Sequence, residues 1–255
     1  MNNKKIAVKT LPLLLGICFL GLWELIIPAL HIPVWILPPP SLIGSELFSS
    51  QSLIFSNLIP TVTEACIGLF IAVILALGLA ILLEWSKLLK DILYPYLVLT
   101  QTIPTIALAP LLAIWFGFGM LSKIIVIVLV CFFPITVSTL DGFGQTSENS
   151  IKFLKTINAT PFQIFRYCKL PYCLPSFFAG LRIAVTYSVL GAVISEWFGG
   201  NMGLGILLVR SAKSYLTARV FAIVVVIALL TLVAVWLVDC ISAKLLPWNS
   251  KKISS

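Results

Sequence analysis

Apolar residues fill six long runs of this chain, at 11–30, 58–83, 92–116, 124–140, 176–198 and 218–238. A helix crossing a bilayer needs about 20 mostly apolar residues. Each run therefore predicts one crossing, and short loops join them. The first run follows Lys4, Lys5 and Lys9, as a secretion signal would. It is too long for one, and no small-x-small cleavage step follows it, so it is expected to stay as a span. Segment 31–57 carries Leu37-Pro38-Pro39-Pro40-Ser41, where the prolines block a continuous helix. Ser41 is expected to cap a short helix through Phe48 that lies along the outer membrane surface. The tail from Ile241 is short, polar and basic, and is expected to fray.

The longest connection, 145–171, separates the fourth and fifth runs and is not composed like disorder. Thr160-Pro161-Phe162-Gln163 is a helix start with three agreeing signals. Thr160 can cap, Pro161 sits where its missing N–H costs nothing, and Gln163 completes a capping box. The helix is expected to stop near Leu170-Pro171, because a residue preceding proline is pushed out of the helical region. Upstream, Ser147 can cap a helix through Ile157. Asn158 is suited to end it, since asparagine tolerates the left-handed conformation. Phe162 and Phe165 are expected to share one face of the second helix. From these residues alone, a connector resting on lipid headgroups and a docking element are equally good readings.

Composition makes the membrane the only fitting solvent. The chain is 60% hydrophobic and 10% charged, with a mean hydropathy of +1.11; a soluble domain needs more polar surface. The net charge of +8 does not indicate nucleic acid, because the basic residues fall in small clusters between apolar runs. With the N-terminus inside, thirteen of the seventeen lysines and arginines face the cytoplasm. Only Lys123, Arg210, Lys213 and Arg219 are then outside, which places both termini in the cytoplasm. The six cysteines have no metal-ligand spacing, and His31 has no evident partner. The cysteines are expected to be small packing residues, and no metal site is expected. Gly199-Gly200-Asn201-Met202-Gly203-Leu204-Gly205 lacks a Gly-Lys-Ser/Thr ending and is expected to be an outer turn rather than a phosphate loop.

The stretch from Asn158 to Pro171, continued by Leu174-Pro175 and Gly180-Leu181-Arg182-Ile183-Ala184, resembles the permeases of ATP-binding cassette importers. Those carry a Glu-Ala-Ala signature, a glycine and an Ile-x-Leu-Pro end. Here the Glu-Ala-Ala positions read Lys152-Phe153-Leu154, and the glycine is Asn158. The resemblance runs from about Leu58 to Trp236. It implies an all-α membrane protein of the type I importer class, with six transmembrane helices and a cytoplasmic coupling helix between spans four and five. It also implies that Asn158, Ala159, Thr160, Pro161, Phe162, Gln163, Ile164, Arg166, Leu170 and Pro171 form the ATPase-coupling element. The expected partners are ATPase subunits that hold ATP and Mg²⁺, a second permease copy forming a homodimer, an extracytoplasmic solute-binding protein and the bilayer of a bacterial-type inner membrane. No cofactor or catalytic activity is expected in this chain. One transmembrane permease domain is expected over 1–255, divided into an N-terminal part (1–57), a core (58–240) and a tail (241–255).

Within the family, Thr61-Val62-Thr63-Glu64-Ala65, Gln101-Thr102-Ile103-Pro104, Trp115-Phe116-Gly117-Phe118-Gly119 and Ser195-Glu196-Trp197 look most like permeases for thiamine pyrimidine precursors. Permeases for sulfonate, taurine or nitrate anions are the alternative. An ion-coupled secondary transporter would show paired broken helices in repeated halves, and an intramembrane enzyme would show a convergent catalytic set; neither is found in the sequence.

Charges inside spans are costly and tend to meet a partner or a cavity. Glu24 is expected to pair with a neighbouring helix, and Arg182 to snorkel to the headgroups. Glu64 either completes a capping box with Thr61 or meets substrate. Trp197 is either an interface anchor or a path residue. Thr100-Gln101-Thr102-Ile103 puts polar groups in mid-membrane beside the helix-breaking Pro104, where they either pack on protein or line a cavity. The translocation path is expected to include Glu64, Gln101, Thr102, Pro104, Glu196 and Trp197.

Overall fold

The computed structural model describes residues 2–248, and all its regular elements are helical. In chain order they are α1 (Asn2–Ala29), α2 (Pro40–Ser49), α3 (Gln51–Trp85), α4 (Lys87–Thr100), α5 (Thr105–Phe116) and α6 (Met120–Gly144). There follow α7 (Glu148–Thr156), α8 (Pro161–Ile164), a π-helical turn (Phe165–Lys169), α9 (Leu170–Gly199), α10 (Leu204–Lys213) and α11 (Thr217–Leu245). Lys251 and Lys252 lie outside the described residues, as do the side chains of Lys4, Lys5 and Lys9.

Four helical stretches are long and apolar enough to cross a membrane: α3, α6, Pro161–Phe198 and α11. The third run is not a straight span. Its two halves, α4 and α5, meet at 95°. Pro104 has no N–H to give and disfavours helix at Ile103. The break at 101–104 is instead closed by short turns, Thr102 N–H to Leu99 O at 3.1 Å and Ile103 N–H to Thr100 O at 3.4 Å. The described apolar part of the first run is the shorter Leu14–Ala29. At the other end α11 continues as helix to Leu245, past the point where fraying is expected.

The centre of the bundle is α6 packed on α3 and α9, and small residues set how close they come. Ala65, Gly68, Ala72, Ala76 and Ala80 run down α3 at helical spacing and are buried. A Cβ on Gly180 would collide with the Pro134 carbonyl and the Ser138 side chain, and one on Gly68 with Ile127. Ile127, Cys131 and Ile135 fill the space between, fully buried.

Short helix α2 is tied on both sides. Ser41 does not cap it; Pro39 occupies the cap position without a side-chain bond. Ser41 instead donates from its backbone N–H and its hydroxyl to the Glu24 carboxylate, at 2.9 and 2.6 Å. The partner expected for Glu24 is thus on α2. Towards α11, Glu46 accepts from the Ser50 hydroxyl at 2.6 Å and from Arg219 Nε at 2.7 Å. These bonds, the Ser50 hydroxyl foremost, hold the Glu46 carboxyl below its ordinary range. Arg182 pairs with Asp239 of α11 at 3.4 Å, both side chains largely exposed, where snorkelling alone was expected.

Candidate coupling loop and translocation cavity

The 145–171 connection is built from two opposed helix ends. α7 begins after Ser147, although the Ser147 side chain makes no capping bond. At its far end Asn158 adopts φ 59°. Asn158 N–H then reaches Lys155 O, and Ala159 N–H reaches Leu154 O, both at 3.0 Å. This pair of bonds is a Schellman motif, which explains why asparagine can stand where a turn glycine is usual. Two residues on, the Thr160 hydroxyl accepts from Gln163 N–H at 3.3 Å, and the Gln163 side chain accepts from Thr160 N–H at 2.7 Å. Pro161 occupies the first helical position, so the expected capping box is present.

The expected stop at Leu170-Pro171 is not made. The chain passes through the π-helical turn, where Leu170 N–H bonds Phe165 O, and continues as α9 through Pro171 and Pro175. A π-bulge inserts one residue into the helical ladder. Pro171, which cannot donate, therefore falls in the first turn of the next α-helical segment and breaks no established bond. The capped helix that begins at Pro161 and the fifth span are consequently one continuous helix. Phe162 and Phe165 also diverge. Phe165 packs on Trp85 and Phe143, with ring centroids 5.8 and 5.6 Å apart, while Phe162 is 58% exposed. Residues three apart on a helix differ by about 60° around its axis, so one can face the protein while the other faces outward. Ile164 is buried, Ala159 is half-buried, and Arg166 and Leu170 are exposed.

A cavity of about 560 Å³ lies between the α4–α5 bend, α6 and α9. Gln101 lines it, with Thr100, Thr105, Ser138, Phe133 and Tyr187, and the remaining walls are aliphatic, glycine or proline. No lysine, arginine, aspartate, glutamate or histidine lines it. Thr102 and Pro104 belong to the bend but are not among the lining residues; the Thr102 hydroxyl donates to Leu99 O at 2.8 Å. Pro104 opens α5.

Glu64 and Glu196 are not at this cavity. They belong to a closed polar cluster joining α3, α6, α9 and the turn before α10. Lys123 Nζ donates to Glu64 Oε1 at 2.6 Å, and both side chains are almost wholly buried. Glu196 accepts from the Thr61 hydroxyl at 2.6 Å and from Gly205 N–H at 2.5 Å. Asn57 accepts from Gly203 N–H, and Thr61 Oγ1 from Leu204 N–H, each at 2.9 Å. Thr61 therefore sits inside α3 and caps nothing with Glu64, because α3 already begins at Gln51. Trp197 lines neither the cavity nor this cluster and is 36% exposed. Lys123 was expected among the outer topogenic charges. Its isolation was the available signal, since it is the one charged residue between Asp91 and Asp141.

Gly203 is held at φ 132°, and a Cβ there would overlap the Glu196 carboxylate. Gly203→Ala should lower the melting temperature of the purified protein, with backbone strain alone worth about 1–3 kcal/mol. Gly44→Ala, in helix α2 with nothing within 4 Å, should leave melting unchanged or raised.

These features describe a multi-pass helical membrane protein whose longest loop presents a capped helix fused to a span, beside a cavity at a broken helix. The chain belongs to the family described as the binding-protein-dependent transport system inner membrane component, whose profile matches residues 68–247. It is 35% identical over 228 residues to a probable ABC transporter permease protein of Haemophilus influenzae, covering 89% of this chain and 93% of the relative. It is 36% identical over 241 residues to the formylaminopyrimidine transport permease protein ThiX of Halalkalibacterium halodurans, covering 94% and 96%. A putative aliphatic sulfonates transport permease protein, SsuC of Bacillus subtilis, is 29% identical over 241 residues, covering 93% and 87%. The fold matches a chain of the crystal structure of an amino acid ABC transporter with histidines at a TM-score of 0.61, with 16% identity, over 78% of this chain and 95% of that one. The protein is thus the permease subunit of an ABC transport system, and ATP hydrolysis resides in a separate ATPase subunit.

Proposed function

We propose that this permease imports a small, uncharged, flat polar ring of the pyrimidine type, the chemistry of a thiamine precursor. The observation that carries the reading is the lining of the 560 Å³ cavity, which offers an amide, hydroxyls and two aromatic rings but no charged group. A sulfonate or nitrate held in an apolar wall without a cation would pay a large desolvation cost. A neutral ring can stack on Phe133 or Tyr187 and bond to Gln101. The formylaminopyrimidine named for the 36% identical relative agrees with this choice.

The working unit is a homodimer with two ATPase subunits that hold ATP and Mg²⁺, and a solute-binding protein on the opposite face. Both termini and the 145–171 loop lie in the cytoplasm in this reading, which the lysine and arginine distribution supports. The coupling element from Asn158 to Ile164 docks in the ATPase.

The test is uptake by proteoliposomes containing the complete transporter, comparing labelled hydroxymethylpyrimidine with taurine. Pyrimidine uptake is expected and taurine uptake is not; the reverse selects the sulfonate reading. Gln101→Ala should raise KM about 10-fold, the worth of one hydrogen bond of about 1.4 kcal/mol, while ATPase retention is unchanged. Unaltered uptake by this variant would remove Gln101 from the path.

A further inference from the structure

The helix that docks the ATPase is continuous with α9, but α3 and α6 must also move if the path is to open. Only a few contacts join the docking helix to them. Phe165 of the π-turn lies on Trp85, the last residue of α3, and on Phe143 near the end of α6. Beside it Lys169 Nζ is ion-paired with Glu84 of α3. The Lys169 side chain is 27% exposed and that of Glu84 is 12% exposed, so the pair is largely shielded from water. Among the described residues it is the one ion pair between α3 and the α7–α9 segment.

The geometry around the pair is suited to transmitting force. Lys169 is the last residue of the π-turn, one position before α9 begins. The wide turn interrupts the i to i−4 ladder of the continuous helix. A push on α8 could be absorbed there by a change of register. Tying both ends of the turn to α3, Phe165 at its start and Lys169 at its finish, removes that freedom. A cavity of about 330 Å³ opens next to it, bordered by Glu84, Lys155, Ile164 and Lys169. Trp85 and Phe165 border the same space, so the charged pair and the ring contact are together the links to α3 on this side.

We infer that Lys169, held by Glu84, is a positioning residue that makes α3 follow the docking helix, so that one ATPase stroke moves the α3 span together with α9. This rests on the proposed docking of the Asn158–Ile164 element in the ATPase. The ion pair does not hydrolyse ATP and does not touch solute. Its loss should show as wasted hydrolysis rather than as lost binding.

The experiment uses the complete transporter in proteoliposomes and reads ATP hydrolysed per solute imported. Lys169→Gln should raise that ratio several-fold, with the ATPase still co-purifying and hydrolysis within about twofold of the parent. Lys169→Arg, which keeps the charge, should leave the ratio near the parent value. The exchange Glu84→Lys with Lys169→Glu should restore coupling lost in either single charge reversal. An unchanged ratio in Lys169→Gln, or an exchange no better than the single reversals, overturns the proposal. If Lys169→Gln does not assemble, Glu84→Gln is read in its place; failure of both to assemble makes the pair a folding contact and also overturns it. Loss of the ATPase from the parent protein, or its retention when Phe162 is removed, would instead count against the docking reading itself.

Discussion

Lys123→Met should be among the most destabilising single substitutions in this protein, costing about 3–5 kcal/mol. The lysine is 5% exposed and its ammonium lies 2.6 Å from Glu64, itself 5% exposed. Removing it leaves a carboxylate in a closed site with no cation beside it. The neighbouring Glu196 already accepts one bond from Thr61 on one oxygen and one from Gly205 on the other, and it brings no cation to the site. The other Glu64 oxygen has no hydrogen-bond partner, so the site has no spare donor to compensate. Against a typical total of about 5–15 kcal/mol for a folded domain, that loss should appear as aggregation on gel filtration in mild detergent or as a large drop in melting temperature. The double variant Glu64→Met with Lys123→Met tests the cause. If the damage comes from an unpaired charge, removing both partners should recover most of the loss, because apolar packing can replace a buried pair at little cost. Equal instability in the single and double variants would mean that shape, not charge, is what Lys123 supplies.

How far the fold was legible depends on whether its cause is local. Four of the six expected spans, those at α3, α6, α9 and α11, were legible because apolar length is a property of one segment. The Thr160–Gln163 capping box and the Asn158 turn were legible for the same reason: each is fixed by residues within a few positions. The α4–α5 break was visible in Pro104, but its 95° angle was not, because a proline marks where a helix breaks and not the direction the chain then takes. Lys123 and Glu64 are 59 residues apart in the chain, and nothing around either one names the other. Each therefore read as a separate surface or path charge. The continuation through Pro171 was hidden for a different reason. A Leu-Pro step usually ends a helix, and only a shifted register over the preceding five residues, Phe165–Lys169, lets this one continue. Within the candidate site, Gln101 was placed from its polarity in mid-membrane. Tyr187 and Ser138 were not, since each lies in an apolar run where a hydroxyl is unremarkable until the third wall is known.

Phe162→Ala should abolish most transport while leaving the fold intact, and this contrast tests the docking role of the loop. Phe162 is 58% exposed and its ring stacks on no other aromatic ring among the described residues. Truncating it should change stability by no more than about 0.5 kcal/mol, as for other surface positions. A large exposed aromatic on a rigid, capped helix is, however, the kind of residue that anchors an interface. Retention of the ATPase during purification should therefore weaken at least about 10-fold, and uptake should fall with it. Ile164→Ala is the opposite case, two residues along the same helix. Ile164 is 7% exposed and faces the protein, so its truncation should cost about 2–5 kcal/mol of stability. Thr160→Ala falls between them. It removes one half of the capping box for about 1 kcal/mol and should loosen docking by letting the first turn fray, with Gln163→Gly behaving alike. A connector that only rests on lipid headgroups would give a different order, since Phe162→Ala would then spare both ATPase retention and uptake. The ranking of the three variants by ATPase retention, set against their ranking by melting temperature, separates a helix that transmits a stroke from one that merely joins two spans.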